Sequence, residues 1–369
     1  MPSLLSLKKI QALFFLLFIV KLFAYVWLTV FETELIQMGG NDSDFYNDFA
    51  LGFIADDYPR VSSIWPFILR ELNDLGLYNR EVISWLLFTL ESLVIPFVFA
   101  AVLPASINIT HQSQREKLFW SVAILISLYP TTFYFTFDIY RDVIMILIFG
   151  LCLLVARYAA ENSNKVAVTI PLLLLISYFL YLFRAYLGFA VFIALPFYWF
   201  NWPRLKFAYL IAAYFLVLMV LQSLGCFDSL FSYRASDGFI GAGSTLEISM
   251  MGKNPIEFLF LYVKSGLFQL FGLYLISIKA WIVFVLESIL FIAGYLYIVK
   301  NKRFLTPFLR CVLVFSVVYG TIWILGNDNL GTAVRLRIYN YLSILIVAAS
   351  IYLLKSAPSE SDMSAKEMQ

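Results

Sequence analysis

The stretch Ile10-Gln11-Ala12-Leu13-Phe14-Phe15-Leu16-Leu17-Phe18-Ile19-Val20-Lys21-Leu22-Phe23-Ala24-Tyr25-Val26-Trp27-Leu28-Thr29-Val30-Phe31 decides the fold. Crossing the hydrocarbon of a bilayer takes about 20 apolar residues in one helix, and this stretch supplies them with one charge. The nine residues before it include Lys8 and Lys9, and no small-residue cleavage site follows, so it reads as a retained span and not a signal peptide. The whole chain has the same character. Of 369 residues, 62 % are hydrophobic and 14 % charged, where a globular chain has about 45–50 % and about 25 %. The 37 Phe, 23 Tyr and 8 Trp suit a bundle with an aromatic belt at each interface. A polytopic, all-α transmembrane helix bundle is the fold class expected.

Further apolar stretches fall at 83–104, 118–137, 142–158, 166–183, 186–200, 207–224, 280–299, 308–325 and 338–354, about ten spans in all. Basic residues favour the cytoplasmic side. With the amino terminus inside, Lys8 and Lys9, Arg115 and Lys117, Arg157 and Lys165, and Arg204 and Lys206 fall inside in alternation. The cluster Lys300, Lys302, Arg303 and Arg310 must also be inside, which allows one crossing between 225 and 300. That crossing is assigned to 280–299. Stretch 255–277, opened by Pro255 and interrupted by Lys264-Ser265-Gly266, becomes an interfacial or re-entrant helix on the outer side, with an eleventh crossing as the alternative. Residues 1–354 then form one transmembrane domain with both termini inside, and 355–369 a disordered cytoplasmic tail. The long outer loops are 32–82, expected to carry amphipathic juxtamembrane helices, and 225–277; loops of that length are usually functional. No internal repeat is expected.

Composition narrows the chemistry. A net charge of +2 gives no reason to expect a nucleic-acid partner. Cys152, Cys226 and Cys311 make no CxxC, and one histidine, His111, cannot build a His-ligated metal site.

Four places carry candidate chemistry, all on the expected outer side. Gly39-Gly40-Asn41-Asp42-Ser43-Asp44-Phe45-Tyr46-Asn47-Asp48 puts Asp42 and Asp44 just beyond the first span. A carboxylate there can act as a general base or hold a divalent ion such as Mg or Mn against a phosphate; the plain alternative is helix capping. Val61-Ser62-Ser63-Ile64-Trp65-Pro66-Phe67-Ile68-Leu69-Arg70-Glu71-Leu72 reads as a second surface helix ending near Gly76. Between the third and fourth spans, Asp138 and Asp142 share a helix face beside Arg141. Arg184, Arg335 and Arg337 lie outside against the positive-inside bias. Guanidinium forks bind phosphate bidentately, and snorkelling to headgroups is the alternative. Glu91 and Glu287, with no Lys or His partner in register, read as packing or hydrogen-bonding groups.

These pieces, in this order, resemble the C-type (GT-C) membrane glycosyltransferases, which carry an acidic motif after the first span, two juxtamembrane helices and a second outer acidic site after a proline-containing span end. Asp42-Ser43-Asp44 with Tyr46 and Ala50 is similar to the first motif, and Tyr129-Pro130 through Asp138, Arg141 and Asp142 to the second. Pro255 with its outer helix, and Gly331-Thr332-Ala333 leading to Arg335 and Arg337, also look like the Wzy-type polysaccharide repeat-unit polymerases. The chain departs from larger GT-C members in having no soluble carboxy-terminal domain. The resemblance implies a bacterial inner-membrane enzyme with a periplasmic site, moving sugar from a polyprenyl-phosphate or -pyrophosphate donor to a glycan or lipid acceptor. Asp42 or Asp44 would be the base, Asp138 or Asp142 would assist a metal or the lipid phosphate, and Arg141, Arg184, Arg335 and Arg337 would hold that phosphate. These residues are expected to converge on one outer cavity. The rivals are the polymerase, leaning on the arginines more than on Asp42 and Asp44, and a lipid-linked glycan transporter or flippase, which needs charge along the bundle midplane where only Lys21, Glu91 and Glu287 stand.

Overall fold

The computed structural model describes residues 6–31, 42–55, 63–104, 112–198, 207–235 and 245–356. Helix accounts for 81 % of them and no strand occurs among them; Thr245 and Asn329 form one isolated antiparallel bridge. Seven helices are long and apolar enough to cross a membrane: Leu7–Val30, Arg80–Ala101, Asp142–Glu161, Val166–Phe183, Ala280–Lys300, Pro307–Gly326 and Leu330–Ser356. The protein is a multi-pass membrane protein. Pro307–Gly326 and Leu330–Ser356 are the most buried of the seven and form the centre, while Leu7–Val30 lies at the periphery with a mostly exposed apolar surface.

The other three expected spans are shorter or bent, each for a local reason. Gln112–Ser127 stops because Tyr129, preceding Pro130, is driven out of the helical region (φ −70°, ψ 108°), and the chain restarts as the short helix Pro130–Tyr134. Ala185–Ala194 tightens into a 3₁₀ turn, Leu195–Tyr198, containing Pro196. Phe207–Ser223 is followed by Gly225 in the left-handed region (φ +71°), and Asp228–Arg234 leaves at 83°.

The stretch 32–82 carries two short helices among its described residues. Asp42–Ala50 and Trp65–Asp74 pack together through Phe49 against Phe67, and the Arg70 guanidinium lies 4.1 Å over the Phe49 ring. Trp65 Nε1 donates to the Ile139 carbonyl at 2.7 Å, tying this pair to the second acidic segment. Gly39, Gly40, Asn41, the 56–62 stretch and the 357–369 tail lie outside the described residues.

Stretch 255–277 is helical only over Pro255–Gln269; the chain then turns at Gly272 (φ +69°). Gln222 Nε2 donates to the Lys253 carbonyl and Gln269 Nε2 to the Asn327 carbonyl, each at 2.9 Å. Both ends of the helix are thus held where Phe207–Ser223 and Pro307–Gly326 finish.

Contrary to expectation, a repeat is present. Gly76-Leu77-Tyr78, Trp85, Phe88 and Leu90-Glu91-Ser92 recur at constant spacing as Gly272-Leu273-Tyr274, Trp281, Phe284 and Leu286-Glu287-Ser288. The backbone repeats as well. Each copy has a glycine at positive φ (+71° and +69°), then, two residues out of register with the sequence match, a side-chain N-cap (Asn79 accepting from Val82 N, Ser277 from Ala280 N) and a wide π-type turn that contains the Glu-Ser pair, Leu90–Val94 and Phe284–Ser288. A background of Leu, Phe, Ile and Val hides such a match in the sequence.

Candidate functional site

Two helix starts, one helix end and one helix break meet at one end of the bundle. Asp42 opens Asp42–Ala50 and Asp142 opens Asp142–Glu161, both in first turns whose free N–H groups favour negative charge. Arg335 sits in Leu330–Leu336, which is capped by Asn329 accepting from Thr332 N. Arg184 is the extended residue (φ −158°) between Val166–Phe183 and Ala185–Ala194.

Arg335 is the centre. Its Nη1 binds Asp42 Oδ2 and its Nη2 binds Asp142 Oδ2, both at 2.6 Å. The guanidinium also lies over Phe135 at 5.1 Å and Tyr140 at 5.8 Å. Arg184 Nη2 reaches the other oxygen of Asp142 at 3.6 Å. The Asp142 side chain is 3 % exposed and that of Arg335 16 %, while Asp42 is 48 % exposed, so the cluster grades from a buried floor to an open rim. Beside it, Arg141 Nη1 donates to the Phe183 carbonyl at 3.2 Å. Three guanidiniums thus stand against two carboxylates. Arg141 Nε, Arg184 Nη1 and Arg335 Nε are buried without a hydrogen-bond acceptor, against one carboxylate oxygen, Asp142 Oδ1, without a donor; donors remain in excess, which suits an anion.

Asp44, two residues from Asp42, belongs to a second group. Arg80 Nη2 binds Asp44 Oδ1 at 2.8 Å and Asp138 Oδ2 at 2.6 Å, and Arg80 Nε donates to Asp138 Oδ1 at 2.8 Å. The Asp44 side chain is 69 % exposed. The structure brings Asp42, Asp142, Arg335 and Arg184 into one chain of contacts, with Arg141 alongside, and places Asp44 and Asp138 on a neighbouring arginine. Arg80 was missed because it heads the second span outside the quoted motifs. The bias that singled out Arg184 applies to it equally.

Two expectations are corrected. Arg337 does not join the outer arginines; its Nη2 turns into the bundle to Glu287 Oε2 at 3.4 Å. Residues two apart on a helix point to opposite sides, so Arg335 and Arg337 cannot share one cavity. Glu91 and Glu287 do have cationic partners, supplied by other helices: Lys21 Nζ lies 2.5 Å from Glu91 Oε2. A search for partners in register along one helix misses such pairs.

Two phenols border the outer site. Tyr78 OH donates to Asn47 Oδ1 at 2.9 Å. Burial pushes the hydroxyls of Tyr78 and Tyr140 up to about 12, so near neutral pH both are uncharged donors.

Asp42, Asp44, Asp138 and Asp142 are each held by a guanidinium, and among the described residues no group of three or more His, Cys, Asp or Glu side chains could hold an ion. Comparison with protein-family models, curated proteins and solved structures finds no match for the chain.

Proposed function

We propose that this protein is a glycosyltransferase of the bacterial inner membrane that takes a sugar or oligosaccharide from a polyprenyl-phosphate or -pyrophosphate donor at the periplasmic face and passes it to a glycan or lipid acceptor in cell-surface polysaccharide assembly. The observation that carries the reading is Arg335 bridging Asp42 and Asp142, with Arg184 and Arg141 beside it and N–H groups to spare. The departing lipid phosphate needs cationic donors at membrane level, and an acceptor hydroxyl needs a carboxylate to take its proton. A rim carboxylate, Asp42, and an exposed one, Asp44, stand next to such donors. Metal-bound variants of the reaction would require Asp138 or Asp142 to leave its arginine.

The topology that goes with this reading has both termini inside and ten crossings, counting the three shorter or bent helices, with Pro255–Gln269 returning to the outer face. Cysteine labelling at Ser277 and Lys302, with Cys226 replaced by Ser, tests it: outside labelling of Ser277 alone fits, and outside labelling of Lys302 contradicts.

The exposure of Asp44 set against the buried arginines favours a second reading, the Wzy-type polymerase, which joins whole repeat units. Cells carrying each variant at matched expression separate the two by glycan laddering. In the base-catalysed version Asp42→Asn or Asp44→Asn abolishes product, a positioned base being worth roughly 10²–10⁴-fold. In the polymerase version those changes are tolerated and Arg184→Ala and Arg335→Ala are severe. Full activity in all four would remove the site from this end of the bundle.

A further inference from the structure

The two copies of the repeat meet at one place. Glu91 and Glu287 lie on separate spans, yet both accept from adjacent residues of the break after Gln112–Ser127: Thr132 Oγ1 donates to Glu91 Oε1 at 2.9 Å, and Thr131 N to Glu287 Oε1 at 3.0 Å. Lys21 completes the first side, binding Glu91 and donating to the Ser127 carbonyl at 3.2 Å. Arg337 completes the second. Over it sits Gly272, where a Cβ would lie 2.6 Å from Ser288 Oγ and 2.7 Å from Arg337 Nη1. Lys21, Glu91, Arg337 and Glu287 are all buried. Ion pairs taken out of water repay their desolvation poorly as stability, and ionisable groups inside a membrane usually serve function. Wide turns of the π type within helices also concentrate at functional places.

What they hold is the segment leading to the outer site. Residues 135–141 follow directly and carry Phe135, Asp138, Tyr140 and Arg141 into contact with Arg80, Arg335 and Phe183. A broken helix leaves backbone groups without helical partners, and the first free N–H after Pro130 is the one Glu287 takes. We infer that Glu91 with Lys21 and Glu287 with Arg337 are positioning residues: the duplicated Glu-Ser turns clamp the helix break at Thr131 and Thr132 from two sides and so fix the strand of chain that brings Asp138, Arg141 and Asp142 to the outer site. This rests on the outer site being the functional one, but not on what it transfers.

Amide hydrogen exchange by mass spectrometry on the full chain in lipid nanodiscs tests it without any substrate. Three variants are compared with the native chain: Thr132→Val, which removes the link to Glu91 and the hydroxyl's bond to the Tyr129 carbonyl and leaves both ion pairs; Lys21→Met with Glu91→Leu, which replaces one pair by apolar side chains of similar size; and Lys21→Glu with Glu91→Lys, which reverses it. The first two are expected to raise exchange of peptides covering 129–141 by roughly tenfold or more, with Pro307–Gly326 unchanged. The reversed pair should recover most of the protection. Unchanged exchange in Thr132→Val, the mildest variant, overturns the clamp; so does equal loosening of 129–141 and Pro307–Gly326, which would mean a general packing role. Loosened exchange of 129–141 with undiminished glycan product would count against the transfer reading and leave the clamp standing.

Discussion

Arg335 joins two carboxylates that the chain keeps far apart, Asp42 at 293 residues' separation and Asp142 at 193, each through one end of a single guanidinium at 2.6 Å. A planar fork holds the two at a fixed angle, which the rotatable donors of a lysine ammonium do not.

That geometry sets an order of stability effects. Asp142→Ala leaves Arg335 and Arg184 facing each other without a buried counter-charge, and removing one partner of a buried pair costs about 3–5 kcal/mol. Asp42→Ala, at the half-exposed rim, should cost no more than about 1 kcal/mol. Thermal unfolding in one detergent, read for both variants, checks the ranking; equal losses would mean that Asp142 is not the floor of the cluster.

Arg80 holds Asp44 and Asp138 together, so Arg80→Ala and Asp138→Asn remove one shared interaction. Their effects on glycan product should be non-additive in the double variant, because residues in one ion-pair network do not act independently. Asp44→Asn should leave thermal stability within about 0.5 kcal/mol, as exposed pairs contribute little. Full additivity of Arg80→Ala and Asp138→Asn would dissolve the group.

Tyr78 and Tyr140 bear on pH. A phenol whose folded value is raised above the unfolded value of about 10 stabilises the fold fully below that value and loses the contribution as pH climbs through the folded one. With both hydroxyls near 12, alkaline destabilisation should appear between about pH 10 and about pH 12. It should shrink in Tyr78→Phe with Tyr140→Phe. Melting temperature against pH measures it, and an identical alkaline limb in the double variant would contradict the assignment.

The paired glycines differ in what surrounds them. Both sit at positive φ, but an added Cβ meets nothing within 4 Å at Gly76, whereas at Gly272 it runs into Ser288 and Arg337. Gly76→Ala should cost about 1 kcal/mol from backbone strain alone. Gly272→Ala should cost clearly more and raise exchange at Thr131. Equal costs would show that Gly272 does not sit against the Arg337 pair.

The membrane class, the apolar spans and the two surface helices could be read from composition and periodicity, because a helix in lipid must be apolar over its length whatever it packs against. The cluster around Arg335 was partly legible: arginines on the side expected to be outside pointed to Arg184 and Arg335, while the acidic stretch after the first span and the run of charges after Pro130 pointed to Asp42 and Asp142. These signals were silent on which arginine meets which carboxylate, since Asp42 and Asp44 are two residues apart and diverge to Arg335 and Arg80 by helical geometry alone. Arg337 was misplaced for the same reason. The Lys21–Glu91 and Arg337–Glu287 pairs depend on contacts between helices, which no pattern along one helix encodes.

We propose that the Arg335 cluster binds a lipid-linked phosphate and supports glycosyl transfer. The most direct measurement is consumption of a polyprenyl-pyrophosphate-linked glycan donor by the purified full chain in nanodiscs, native against Arg335→Lys, with both shown to be folded by thermal unfolding. The native chain is expected to consume donor, and Arg335→Lys, which keeps the charge but loses the planar fork, to slow consumption at least about tenfold. Undiminished consumption by Arg335→Lys, or none by the folded native chain supplied with donor and acceptor, would contradict it.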